Sequence, residues 1–112
     1  MRATVFPSPV EGTVQAPPSK SLAHRAIVCA SLARGRSVVR NLAYSQDVLA
    51  TIQGMRDLGA KIEIHDTWAE IEGVSDLARF PGGTVDCNES GSTLRFLIAL
   101  FAQWGSPVTF SG

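Results

Sequence analysis

The chain has 112 residues, 45% of them hydrophobic, and its ten basic side chains are matched by ten acidic ones. That length limits it to one domain or part of a larger one, and the apolar share is enough for a packed core. Balanced charge excludes a strongly basic nucleic-acid surface and a polybasic membrane patch, and no apolar run approaches the roughly 20 residues that span a bilayer.

Val10–Ala16 alternates loosely and stops at Pro17-Pro18, which predicts a short strand. Ser19 or Lys20 then opens a helix to about Ala33, with Leu22, Ala26, Ile27, Ala30 and Leu32 on its apolar side and Gly35 as the cap beyond its end. Ser37–Asn41 reads as a brief strand. Ser45 suits an N-cap for a second helix, Gln46–Leu58, with Val48, Ile52 and Met55 on one face and Gly59 after it. Lys61–His65 and Ala69–Glu72 both alternate, and the Asp66-Thr67-Trp68 link predicts an antiparallel hairpin. Pro81-Gly82-Gly83 is a turn and Thr84–Asp86 a strand. A third helix is expected from about Ser92 to Trp104, burying Phe96, Leu97, Leu100, Phe101 and Trp104. Pro107–Ser111 is the last strand. The order is mixed α/β, with no linker or internal repeat, and a chain stopping just after a strand is expected to be cut from something longer.

Two cysteines, Cys29 and Cys87, make neither a disulfide framework nor a zinc spacing, and Cys29 reads as a buried small hydrophobe. The first residues lack the apolar core of a signal peptide, so a cytoplasmic protein is expected.

Two segments carry the chemistry. Ser19-Lys20-Ser21 through Arg25 places two hydroxyls and two cations where an extended segment turns into a helix. A helix start already offers unpaired N–H groups and partial positive charge, so Lys20 and Arg25 there make a candidate phosphate cradle. An ordinary capped helix with solvated charges is the plainer reading, although Pro17-Pro18 would hold the helix start in one place. In Asn88-Glu89-Ser90-Gly91-Ser92-Thr93-Leu94-Arg95, small hydroxyl residues and a glycine again precede a helix, with an arginine one turn in. Gly91 would admit close backbone approach and a positive φ. The plainer reading is a loop and N-cap with Arg95 solvated, and the Gly-Lys-Ser/Thr ending of a nucleotide P-loop is absent. The pair, about seventy positions apart, carries more weight than either segment.

A Ser21–His24 catalytic pair is rejected, because no orienting acid or nucleophile elbow accompanies it. His24 is expected to pack or hydrogen-bond locally, and His65 to lie on a strand face. Asp47, in the first turn of the second helix, complements the dipole and is a candidate to orient Lys20 or Arg25.

At these two segments the chain resembles the enolpyruvyltransferases, and among them the EPSP synthase family. The family's first signature has the form Pro-Gly-Ser-Lys-Ser, a few residues, then Asn-Arg-Ala; here it is Pro17-Pro18-Ser19-Lys20-Ser21, then His24-Arg25-Ala26. The second has the form Gly-Asn-Ala-Gly-Thr, two residues, Arg; here it is Asn88 to Arg95. Asn41-Leu42 and Ser45-Gln46-Asp47-Val48 also look like the family's intervening stretch. The resemblance implies transfer of the enolpyruvyl group of phosphoenolpyruvate to the 5-hydroxyl of shikimate 3-phosphate, with no metal or organic cofactor, nucleic acid or membrane. By position, Lys20, Ser21 and Arg25 would bind shikimate 3-phosphate. Lys20 would also touch phosphoenolpyruvate as the catalytic cation, and the Gly91 backbone would approach the latter's phosphate. Asp47, Ser92 and Arg95 would stand behind them. Three residues depart from the pattern: Pro18 replaces glycine, His24 replaces asparagine, and Glu89 stands for asparagine and is expected to face out or pair with a cation.

The fold implied is an incomplete βαβαββ unit of an inside-out α/β barrel. Residues 1–18 would be a strand segment of the other lobe, and residues 19–112 the first unit of the N-terminal lobe. The remainder of the enzyme would be needed for turnover. Two other readings stand beside it. One is an enzyme like UDP-N-acetylglucosamine enolpyruvyltransferase, whose first motif pairs Lys with Asn where this chain has Lys20-Ser21. The other is a noncatalytic anion-binding module.

Overall fold

The computed structural model describes residues 1–74, 82–103 and 106–112. In chain order the elements are α1 (Lys20–Leu32), β1 (Arg36–Arg40), α2 (Gln46–Asp57), β2 (Lys61–Ile64), β3 (Trp68–Glu72), β4 (Gly83–Asp86), α3 (Gly91–Phe101) and β5 (Val108–Ser111). This is the mixed α/β order expected, less its first strand. Val10–Ala16 forms no ladder and is exposed throughout. A strand exists only where a neighbour takes its N–H and C=O groups, and no described segment lies beside this one.

β1 and β2 flank β3, both antiparallel to it, so β3 fills the gap between the two strands that α2 connects. The register lines up Ser37 with Ile71, Val39 and Ile64 with Ala69, and Ile62 with Ile71. Period-two alternation therefore puts these six residues on one face, against the helices. The opposite face carries Arg36, Glu70, Lys61 and Glu72, paired as Arg36–Glu70 at 2.9 Å and Lys61–Glu72 at 3.2 Å. The hairpin begins one residue earlier than its sequence suggests. Trp68 belongs to β3, and its carbonyl accepts from the His65 N–H. His65 stacks on the Trp68 ring, with centroids 3.7 Å apart.

β4 and β5 run parallel and are joined through α3, as a parallel pair must be joined by a crossover. Between the sheets lies α2, packed against α1, α3, β2 and β4. Its Val48, Ile52 and Met55 are fully buried with Ile27, Ile71, Val85 and Leu97 in one core. Gly82 and Gly83 both take positive φ at the expected turn, while Pro81 of that turn and Trp104 of the expected α3 stripe lie outside the described residues.

α1 buries Ile27 and Ala30 of its expected apolar side, with the buried stripe rotated toward polar neighbours. Ala23, His24, Ile27, Ala30 and Ser31 face inward, while Leu22 is 67% exposed and Cys29 is exposed rather than buried. Four of the five buried side chains are small or polar, and the larger Leu22 falls outside the row. α3 buries Leu97 and Phe101 of its expected stripe together with Thr93, and Phe96 and Leu100 are half-buried.

Gly73, just beyond β3, lets that strand end dock on the end of α1. The Gly73 N–H donates to the Gly35 carbonyl at 3.0 Å, and Val74 N–H to the Ser31 carbonyl at 2.8 Å. A Cβ on Gly73 would collide with the backbone carbonyl of Ala33, which cannot swing away as a side chain would. Gly73→Ala is therefore expected to lower stability by about 1–3 kcal/mol, the usual cost of overpacking, in a urea unfolding curve. An unchanged midpoint would contradict this docking.

Candidate functional site

Each helix starts on a serine that caps it. The side chains of Ser19, Ser45 and Ser90 accept from the N–H groups of Leu22, Val48 and Thr93. The capping hydroxyls leave other first-turn N–H groups unpaired by the helix, and each start keeps partial positive charge.

The packing on α2 brings these starts together. Lys20 Nζ donates to Asp47 Oδ2 at 2.5 Å, joining the start of α1 to the first turn of α2. The Thr93 hydroxyl donates to the Asp47 carbonyl at 3.2 Å, which ties the start of α3 to the same turn. Asp47 is thus bonded to Lys20, one of the two cations its position made it a candidate to orient. The bond from the Lys20 ammonium, chiefly, holds the Asp47 carboxyl below its ordinary value of 3.8. Lys20 itself stays more than half exposed, so its ammonium remains within reach of solvent and solutes.

Arg25 folds back along α1 and donates from Nη1 to the Ser21 carbonyl at 2.8 Å. Its guanidinium carbon lies 5.3 Å from the centre of the Phe96 ring, a cation–π distance that brings the first motif against α3. Ser21, Ser92 and Arg95 are exposed. Gly91 is the first residue of α3 and faces open space where a Cβ would stand. It does not use the positive φ expected of it; Asn88, at φ 50°, makes that turn instead. The Asp86 carboxylate accepts from the Asn88 N–H at 2.8 Å, which is how a non-glycine residue is held there. Beside Gly91 is a hollow walled by Cys87, Ser90, Leu94, Phe110 and Gly112, with Glu89 exposed at its rim.

Beneath these groups runs a buried polar chain that the sequence reading did not anticipate. His24 Nδ1 lies 2.7 Å from Thr51 Oγ1, Thr51 Oγ1 lies 2.7 Å from Thr93 Oγ1, and Thr93 Oγ1 lies 2.7 Å from Ser90 Oγ. His24 bonds across to α2 rather than locally. Burial is the main cause that pushes its imidazole below the ordinary 6.5, so it is neutral at neutral pH. The readable signal was Thr51, which falls on the Val48–Ile52–Met55 stripe, where a hydroxyl has to find a partner.

The family model for EPSP synthase (3-phosphoshikimate 1-carboxyvinyltransferase) matches residues 6–112. A 3-phosphoshikimate 1-carboxyvinyltransferase of Clostridium perfringens strain SM101 is 45% identical over 111 residues, covering 99% of this chain and 26% of that protein. One of Clostridium beijerinckii is 43% identical over 114 residues, covering 96% and 26%. A solved EPSP synthase from Acinetobacter baumannii superposes with a TM-score of 0.72 at 28% identity, covering 88% of this chain and 23% of that one. The chain spans about a quarter of the length of the curated relatives it matches.

The Lys20–Asp47 pair sets a pH dependence. A carboxyl whose folded-state value is depressed adds stability above its unfolded value and loses it as the pH falls through the folded-state value. A carboxylate NMR titration is expected to place the Asp47 midpoint below 3.8, and Lys20→Met to move it back up toward 3.8. Equal midpoints in the two proteins would remove Lys20 as the cause.

Proposed function

The chain belongs to the EPSP synthase family, and from that premise we propose that it supplies part of the substrate site of an enzyme that transfers the enolpyruvyl group of phosphoenolpyruvate to the 5-hydroxyl of shikimate 3-phosphate. The hydroxyl oxygen forms the new bond to the enolpyruvyl carbon, the bond from that carbon to the phosphate oxygen breaks, and the hydroxyl proton leaves with the phosphate. The products are 5-enolpyruvylshikimate 3-phosphate and phosphate. Both substrates are phosphorylated anions, and the observation that carries the reading is the meeting of two hydroxyl-capped helix starts at one turn of α2, through Lys20 and Thr93, with Arg25 of α1 lying over Phe96 of α3.

In this reading Lys20, Ser21 and Arg25 bind shikimate 3-phosphate. Arg25 suits an oxyanion because its guanidinium is permanently charged and presents a planar fork of donors. The start of α3 receives the phosphate of phosphoenolpyruvate, and the open space at Gly91 supports that role, since no side chain stands between the backbone and a ligand. Lys20 neutralises charge that develops as the carbon–oxygen bond to phosphate breaks, with Asp47 holding the ammonium in place. Ser92 and Arg95 flank the α3 start. Further cations, and the acids that move protons, are expected from the parts of the relatives that this chain does not span. Residues 1–18 would then pair with the other lobe, which accounts for the exposure of Val5, Phe6, Val10 and Val14. The reading places the enzyme in the cytoplasm. Among the described residues no helix is long and apolar enough to cross a membrane.

Shikimate 3-phosphate titrated into the isotope-labelled chain is expected to move the amides of Ser19 to Arg25. Arg25→Ala and Lys20→Met should each weaken binding about tenfold or more, the loss of a charge-assisted hydrogen bond. A folded spectrum that stays still at millimolar ligand would overturn the reading of this site. The purified chain alone is expected to show no turnover, and measured turnover would overturn the assignment of the remaining groups to the unspanned parts.

A further inference from the structure

His24, Thr51 and Thr93 come one from each helix, and all three are shielded from solvent, at 1%, 0% and 0% exposure. Valine would fill the space of either threonine without a polar atom. The hydroxyls instead form a continuous chain from α1 through α2 to α3, at 2.7 Å per link.

The protons in this chain can be placed by their acceptors. The Thr93 hydroxyl has one proton, and its two acceptors are Ser90 Oγ at 2.7 Å and the Asp47 carbonyl at 3.2 Å. The Thr93 oxygen is then left to accept from the Thr51 hydroxyl, and the Thr51 oxygen to accept from His24 Nδ1–H. That order leaves His24 Nε2 as the bare nitrogen of a neutral ring. Among the described residues Nε2 is buried without a hydrogen-bond partner, and an orphaned acceptor is tolerated more often than an orphaned N–H. The charged groups facing His24 are Lys20 and Arg25 of α1 and Asp47 of α2, while α3 presents the uncharged Phe96 ring.

Resting on the function proposed above, we propose that His24, Thr51 and Thr93 form a positioning relay that sets the Lys20–Arg25 end of α1 and the Gly91 end of α3 at one separation, so that the two anion-binding helix starts act as a unit. Directional hydrogen bonds resist the small slides and rotations that apolar contacts tolerate between packed helices. The three residues act through Lys20, Arg25 and the α3 start rather than on the substrates. The relay ends where the ligands are read: His24 is adjacent to Arg25 in sequence, and Thr93 is two residues past Gly91.

The test compares the chain with Thr51→Val, which keeps the shape and removes the hydroxyl, and Thr51→Ser, which restores it. The first readout needs no ligand. The His24 ring nitrogens are expected to show protonated Nδ1 and bare Nε2 in the unaltered chain. Thr51→Val should shift the ring toward the other tautomer and move the Gly91 and Ser92 amides, and Thr51→Ser should return both. The second readout uses shikimate 3-phosphate as probe. Thr51→Val is expected to weaken binding about fivefold to tenfold, the effect of a lost buried hydrogen bond. Thr51→Ser should recover most of that loss. Unchanged ring nitrogens and Gly91 amide in Thr51→Val would overturn the relay, whatever the probe does. Wild-type affinity in Thr51→Val would also overturn it. If the unaltered chain does not bind the probe while the ring and the α3 amides respond as expected, the coupling of the helix starts stands and the reading of their ligand falls.

Discussion

A hydroxyl in the middle of a helix that is buried on every side has to be satisfied, and Thr51 of α2 is in that position. Left without partners it would cost about 1–3 kcal/mol, a sizeable part of the margin by which a small domain is stable. Its partners are His24 of α1 and Thr93 of α3. Satisfying the group through these partners ties two other helices to α2. The apolar contacts around it, from Ile27, Val48, Ile52, Ile71, Val85 and Leu97, supply the driving force for burial but little direction.

The consequence appears at the helix starts. Three N-termini carry the same kind of cap, and a helix start alone is a weak anion site. Bringing two of them against the first turn of a third concentrates unpaired N–H groups, a lysine and an arginine in one region. Asp47 offsets part of this charge, since its carboxylate meets the Lys20 ammonium directly. Under the proposed function, a phosphate taking the ammonium would share it with that carboxylate.

The sheets serve as walls for this arrangement. The six inward side chains of β1, β2 and β3 form one side of the core, and the charged ladder opposite keeps the outer face in water. β4 and β5 hold α3 by a parallel crossover, with Phe101 of the helix edge-on to Phe110 of β5 at 5.8 Å. The close docking at Gly73 completes the link between the antiparallel sheet and α1.

Local chemistry made much of this legible in the sequence. The caps Ser19 and Ser45, the hairpin alternation of Lys61–Glu72 and the helix-start motifs at Lys20 and Gly91 depend on neighbours within a few residues, and they stand where their spacing puts them. The EPSP synthase resemblance was legible for the same reason, because its motifs are short and contiguous. What depends on distant partners was not. Val10–Ala16 has the alternation of a strand but no described neighbour to complete it, and Leu22 and Cys29 are apolar yet exposed because the buried side of α1 is the row Ala23, His24, Ile27, Ala30 and Ser31. The clearest case is the chain His24–Thr51–Thr93. Its residues are 27 and 42 positions apart in sequence. By itself the sequence determined the elements and the charged residues at their starts. Only the tertiary structure decided which buried hydroxyl meets which imidazole, because a hydrogen bond between helices is set by how those helices pack and by nothing local to either residue.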